Sequence, residues 1–361
     1  MYNINKIGII LENVSGEILI CNGDRGNDLT KYFLEQIHDN HIKKIFYFTA
    51  GEWEMAQGIK EIDFDMLENV LVRNKAHMYV LLGGEDHENH LTYRYPKNNF
   101  TIFRFPTYCL HEVHYQALVN YGENFKTIIN YNYLFDLYNH VPHFHRCLLI
   151  DELCKNNLLG NGIYTWNKID KNYSKYKFEC WQEELKIIDK EFLNTPARNQ
   201  YTNDLLLNQG IISIIPESTT EHMDYTEKTF RAIYFEKPFY IYGRIGQNKN
   251  IKKYGFEIFE ELFEYETEDK GYLKRRCAGL INNLKKLKTK DILELYKTIE
   301  WKLKHNKKRY LEIIEQDDYL PKGLLNLFIE HKDEFINSPI LPNYFIEVLN
   351  KNAKLYNKIF I

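Results

Sequence analysis

Short apolar runs of strand length alternate with segments of helical periodicity along the first third of the chain, and the pattern starts again in the second third. "KIGIILE" (Lys6–Glu12), "KKIFYFTA", "HMYVLLGG" and "NFTIFRF" read as strands, while "NDLTKYFLEQIHDN", "DFDMLENVLVRN" and "TYCLHEVHYQALVN" carry helical spacing between and after them. Alternation on this scale predicts a parallel sheet with crossover helices. The second series runs through "HVPHFHRCLLIDELCKNNLL" (helix), "GNGIYTW" (strand), "GIISIIPE" (buried strand), a helix from Thr226, "KPFYIYG" (strand), "NKNIKKYGF" (short helix) and one long helix from Gly271 to Asn306. The expectation is therefore an α/β protein of two Rossmann-like domains, residues 1–128 and 129–289, followed by a helical C-terminal extension, 290–361.

Length agrees with that division, since 361 residues exceed one ordinary core and suit two lobes with a cleft between them. A net charge of −3 gives no global basic field, which argues against a large nucleic-acid surface. The six cysteines (Cys21, Cys109, Cys147, Cys154, Cys180, Cys277) form no CxxC pair and no metal-ligand spacing, and read as reduced, mostly buried thiols. The chain enters a strand-like run at once, with neither a charged leader nor an apolar stretch of spanning length. A cytoplasmic chain without a membrane span is expected.

The stretch "IIPESTTEHMDYTEKTFRAI" carries the chemistry. A buried strand ends at Pro216-Glu217-Ser218-Thr219, and a helix starts after a polar loop, with Asp224 or Thr226 placed to cap it. In open α/β sheets ligands gather at the carboxyl ends of strands, near helix N-termini. Lys228 sits in the first helical turn, where a cation opposes the partial positive charge of the helix end unless an anion joins it. Upstream, Arg146 stands at the head of a helix in "HVPHFHRCLLIDEL", with forked, permanently charged donors suited to phosphate. Its neighbours His143 and His145 read as packing or hydrogen-bonding residues, not metal ligands.

The ordered set Glu217, Ser218, Thr219, then Asp224-Tyr225-Thr226-Glu227-Lys228, a helix and "KPFYIYG" resembles the donor-site signature of the α1,3-fucosyltransferases. Those enzymes carry a strand ending in Glu-Asn-Ser/Thr, then Tyr-x-Thr-Glu-Lys, a helix, and a strand ending in Gly. The likeness covers residues 141–259 best. Ser218 replaces the family's Asn, and "TEKTFRAIYFEKPF" replaces its small-residue helix and Val-Pro-Val strand. A broader likeness is to virus- or bacterium-encoded glycosyltransferase-like chains.

This resemblance implies a GT-B glycosyltransferase whose two Rossmann-like domains face each other across a cleft. The implied donor is a nucleotide-diphosphate sugar, a GDP-sugar favoured and fucose among the possible sugars, and the acceptor a hydroxyl of a glycan or similar molecule. Arg146 and Lys228 would hold the diphosphate. Glu217, Ser218, Tyr225, Thr226, Glu227 and Arg231 would complete the donor site, with Arg244 a further contact.

Inverting transfer needs a carboxylate to take the acceptor proton. Glu85, at the end of "HMYVLLGGED", is the first choice, with Asp86, Glu88, Glu52 and Glu54 as alternatives. No cofactor or metal is implied, and "DFD" (Asp63–Asp65) reads as a helix cap. Two other functions compete with transfer: a non-catalytic nucleotide-sugar-binding scaffold of a glycan-assembly complex, and a transferase that adds sugar to DNA.

Overall fold

The structure, a computed structural model, describes residues 10–23, 29–39, 41–49, 64–82, 99–104, 108–121, 132–139, 142–166, 176–182, 209–218, 220, 223, 225–265, 272–316, 322–338, 341, 345–347 and 349–350. The described residues form a mixed α/β protein with two separate sheets. Two compact units divide the chain: Met1–Glu112 with His222–Thr226 and Gln316–Ile361, and Val113–Glu221 with Glu227–Glu315.

The first unit holds a five-stranded sheet in the order β1 (Ile10–Ser15), β2 (Ile18–Gly23), β3 (Lys44–Thr49), β4 (His77–Leu82), β5 (Phe100–Arg104). From β2 onward all neighbours are parallel, but β1 and β2 form an antiparallel hairpin. Only the first of these two strands is expected from its apolar run in the sequence. Their turn is two residues long and opens on Gly16 at φ +57, a conformation glycine adopts without steric cost.

Parallel crossovers that all step the same way place α1 (Leu29–Asp39) and α2 (Phe64–Asn74) on one face, given their right-handed preference. Alternation along the strands then builds two cores. Leu19, Cys21, Ile45, Tyr47, Met78 and Val80 pack with Phe33, Ile37, Leu67 and Leu71 in one. The intervening Ile20, Phe46, Phe48, Tyr79 and Leu81 meet Leu324, Phe335, Leu341 and Phe345 in the other. The ring centroids of Phe46 and Phe335 are 4.9 Å apart, and those of Phe48 and Phe345 are 5.0 Å apart. Helices α9 (Lys322–Glu330) and α10 (Lys332–Ile336) thus belong to the first sheet, not to a separate extension. The α3 helix (Tyr108–Tyr121) contains the division between units.

The second unit holds β6 (Tyr133–Asn139), α4 (Phe144–Lys155), β7 (Gly162–Trp166), β8 (Gly210–Pro216), α5 (Glu227–Tyr234), β9 (Phe239–Tyr242), a short α6 (Gln247–Asn250), α7 (Leu273–Lys288) and α8 (Ile292–Gln316). Its four strands are all parallel, in the order β7-β6-β8-β9. Every residue of β8, "GIISIIP", is buried, as a central strand covered on both faces requires. The single long helix expected after Gly271 is two helices. Asp291 Oδ1 accepts the Glu294 backbone N–H at 3.2 Å and starts α8 anew, so the "TKD" stretch is a helix boundary.

Three helices end alike. After α2, α4 and α5 the chain turns through Lys75, Asn157 and Glu236, each at φ between 52 and 54. The next N–H reaches back to the last turn: Ala76 to Leu71 at 2.8 Å, Leu158 to Leu153 and Lys237 to Ala232 at 2.9 Å. The last of these turns delivers Lys237 into the sheet. There it pairs with Asp136, whose Oδ1 also accepts Ser213 Oγ at 3.0 Å.

Candidate functional site

Strand order fixes where the second unit can bind. From β6 the chain first steps outward to β7, then returns to the other side of β6 as β8, so the direction of winding reverses between β6 and β8. Ligands of open α/β sheets bind outside the carboxyl ends of the strands at such a reversal. Here those ends are Asn139 after β6 and Pro216-Glu217-Ser218 after β8, with Tyr242-Gly243-Arg244 closing β9.

Helix α4 brings two side chains to this edge. Arg146 is buried, and its Nη2 donates to the carbonyls of Pro216 at 3.1 Å and Glu217 at 3.2 Å. His145 Nε2 lies 2.8 Å from the same Glu217 oxygen, so that nitrogen carries the proton. Burial first, and then the Arg146 charge, push the His145 pKa well below the ordinary value, which keeps the ring neutral. The Glu217 carboxylate is fully buried and accepts Thr229 Oγ1 at 2.6 Å. Ser218 follows, also buried. Arg146 and His145 therefore tie the end of β8 to α4, and Thr229 ties it to α5.

On α5, Lys228 Nζ lies 2.6 Å from Glu227 Oε1, with both side chains largely out of solvent. Burial raises the Glu227 pKa, but the Lys228 charge and hydrogen bond, with help from Arg231, outweigh it and hold the carboxyl below its ordinary range. Arg231 is one turn on. Together with Lys228, Lys237, Asp136 and Ser213 it lines a space of about 20 Å³ under the helix, which has room for a water and nothing larger.

Room for a ligand exists beside α7. Among the described residues, Thr220, Ile245, Tyr272, Leu273 and Arg276 border an open cavity of about 360 Å³. Its walls include two exposed apolar side chains, Ile245 and Tyr272, the second of which is 93% exposed. Arg276 is buried. It donates through Nη2 to the Gly243 carbonyl, and its guanidinium lies 5.9 Å from the Tyr242 ring centroid. Its Nε, also buried, has no hydrogen-bond partner among the described residues. Gly243 joins this cavity wall to the strand end, because a Cβ there would collide with Gln247 Oε1 and come within 3.2 Å of the Glu217 Cβ.

The expected residues are thus distributed. Arg146, Glu217, Ser218, Glu227, Lys228 and Arg231 lie in the second unit around one end of its sheet, each of the two basic residues assigned to the diphosphate already engaged by protein groups. Arg244 is half-buried, and its N–H donates to Gln247 Oε1 at 2.7 Å. Tyr225 and Thr226 are buried and group with the first unit. Glu85, Asp86, Glu88, Glu52, Glu54, Asp63, Thr219 and Asp224 lie outside the described residues. Among the described residues no group of three or more His, Cys, Asp or Glu side chains could hold a metal ion.

Arg276 escaped the sequence reading, although its signal was the one that marked Lys228. The first turn of α7, "LKRR", places cations at a helix N-terminus and contains no acid. Asn139 escaped it too. Its side-chain oxygen and nitrogen are buried at the end of β6, without hydrogen-bond partners among the described residues.

Compared with protein-family models, with curated proteins and with solved structures, the chain has no match.

Proposed function

We propose that the second unit binds a nucleotide-diphosphate sugar and that the chain is a metal-independent, inverting glycosyltransferase of the GT-B class. The observation that carries this reading is Arg276. It is a buried guanidinium in the first turn of α7 on the wall of a cavity of about 360 Å³, bonded to Gly243 at the carboxyl edge of a sheet whose winding reverses. An anion in that cavity would meet a fixed positive charge and the amide groups of a helix N-terminus, a combination suited to phosphate. Tyr272 and Ile245 supply apolar surface on which a base or sugar ring would rest.

In this reading the acceptor hydroxyl attacks the anomeric carbon from the face opposite the diphosphate. The carbon–oxygen bond to the phosphate breaks, and a carboxylate takes the hydroxyl proton. Glu85 remains the proposed base. Arg276, with Lys228 and Arg146 near the same edge, would stabilise the charge gathering on the departing diphosphate.

A thermal-shift panel of nucleoside diphosphates and nucleotide sugars tests the reading. The full chain should be stabilised by at least one of them, and Arg276→Ala should lose that shift. No stabilisation of the wild type by any nucleotide would overturn it. Consumption of the stabilising nucleotide sugar in the presence of hydroxyl acceptors then separates a transferase from a non-catalytic binder.

A further inference from the structure

Two cysteines that are 26 residues apart in sequence meet in the second unit. Cys180 Sγ lies 3.1 Å from Cys154 Sγ. Cys154 is half-buried near the C-terminal end of α4, and Cys180 is exposed on the segment 176–182. The other four cysteines are buried thiols, as their sequence context predicts; these two are not.

Their proximity is built in from several sides. Asp151, one turn before Cys154, accepts the backbone N–H groups of Glu179 at 3.1 Å and of Cys180 and Trp181 at 2.9 Å, and the Tyr176 hydroxyl at 3.0 Å. Lys155 Nζ lies 2.8 Å from Glu179 Oε2, a second tie between the helix and the segment. Trp181 packs against Trp166 with ring centroids 4.8 Å apart. The segment is therefore held in register on α4 whatever the state of the sulfurs, and the two thiols face each other before any bond joins them.

We propose that Cys154 and Cys180 form a reversible dithiol–disulfide site, oxidised by small-molecule disulfides of the glutathione type. The exposed Cys180 thiolate attacks one sulfur of the small disulfide, forms a mixed disulfide and expels one thiolate. The Cys154 sulfur, giving up its proton, then attacks Cys180 Sγ and expels the second thiolate. One protein disulfide and two small thiols result, so the two electrons lost by the protein reduce the small disulfide. The hydrogen bond with Cys180, then burial and the charges of Cys180 and Asp151, push the Cys154 thiol up to about 11, so Cys180 is the sulfur that attacks the small disulfide first.

The consequence is structural. A bond here closes the loop between α4 and the segment 176–182, and α4 is the helix that carries His145 and Arg146 to the strand ends. The inference holds whether or not the cavity beside Arg276 binds a nucleotide.

The test is oxidation of the reduced full-length chain with oxidised glutathione, followed by alkylation and peptide mass mapping without reductant. A peptide pair linked through Cys154 and Cys180 is expected, with the loss of two hydrogen atoms and reversal by dithiothreitol. Cys154→Ser should instead accumulate a stable glutathione adduct on Cys180, and Cys180→Ser should leave Cys154 alkylated. The oxidised wild type should melt several degrees above the reduced protein, a difference absent from Cys180→Ser. A lasting glutathione adduct on wild-type Cys180 with no linked peptide, or linkage of either cysteine to another partner, would overturn the proposal.

Discussion

The carboxylate of Asp151 accepts the backbone N–H of Trp181 at 2.9 Å, and the same oxygen accepts the N–H of Cys180 at the same distance. One side chain on α4 thereby does for a distant segment what a helix-capping residue does for its own helix. Burial pushes the Asp151 pKa up, but the N–H groups of Trp181, Cys180 and Glu179 and the Tyr176 hydroxyl outweigh it and bring it down to about 2.

The sign of the pH dependence follows. A carboxyl whose folded pKa lies below its unfolded value contributes stability that is complete above the unfolded value, near 3.8, and is lost as pH falls toward about 2. A shift of that size corresponds to roughly 2 kcal/mol. Asp151→Asn should therefore lower unfolding stability by about 2–3 kcal/mol at neutral pH, since an amide nitrogen would also face backbone N–H groups. Urea denaturation from pH 7 downward should show the gap between wild type and variant closing below pH 4; a gap independent of pH would contradict the account.

Asp136 and Lys237 make the second testable pair. Both are buried, and burial moves both pKa values toward the neutral forms, Asp136 upward and Lys237 downward, against their mutual attraction. Removing one partner leaves a buried charge unmatched, so Lys237→Met alone should cost about 3–5 kcal/mol. The double variant Asp136→Leu with Lys237→Met should recover most of that loss. Chemical denaturation of the four proteins gives the coupling directly.

How much of this was legible in the sequence depended on distance along the chain. The strands "KKIFYFT", "HMYVLL", "GIISIIP" and "FYIY" announce themselves by local apolar runs, and α1, α2 and α4 by spacing. The second strand of the first hairpin did not, because a two-residue turn at Gly16 separates it from a neighbour of the same character. Nor did the covering of Phe46 and Phe48 by Phe335 and Phe345, since an amphipathic helix does not name the sheet it will cover. At the site, Glu217 and Arg146 could be singled out by local rules, but not that Arg146 would bond the carbonyl of Glu217, 71 residues away. Cys154 and Cys180 escaped for the same reason: their meeting is made by Asp151, not by a spacing.

Gly243 is a position where a single methyl group should be felt. A Cβ would strike Gln247 Oε1, and that atom accepts the Arg244 N–H at 2.7 Å. The backbone of Glu217 cannot retreat easily, because its carbonyl is held by both Arg146 and His145. Gly243→Ala should therefore displace Gln247 and cost about 1–3 kcal/mol. A melting curve within experimental error of wild type would show that the turn after β9 yields more readily than these bonds imply.

Lys228 offers a way to separate a structural from a binding role. In the free protein it pairs with Glu227, and because burial by itself raises the Glu227 pKa, the low net value depends on that cation. Lys228→Met should therefore raise the Glu227 pKa and destabilise the fold by about 1–3 kcal/mol at neutral pH. The gap to wild type should shrink as pH falls through the carboxylate range, because the stability Lys228 lends to ionised Glu227 disappears once that carboxyl is protonated in both proteins. A role in the proposed diphosphate site adds a separate effect: the nucleotide-induced rise in Tm should also fall, measured against each protein's own ligand-free value. A variant that shows the pH-dependent destabilisation but keeps the full nucleotide shift would place Lys228 in the scaffold of α5 and leave Arg276 as the cation that binds.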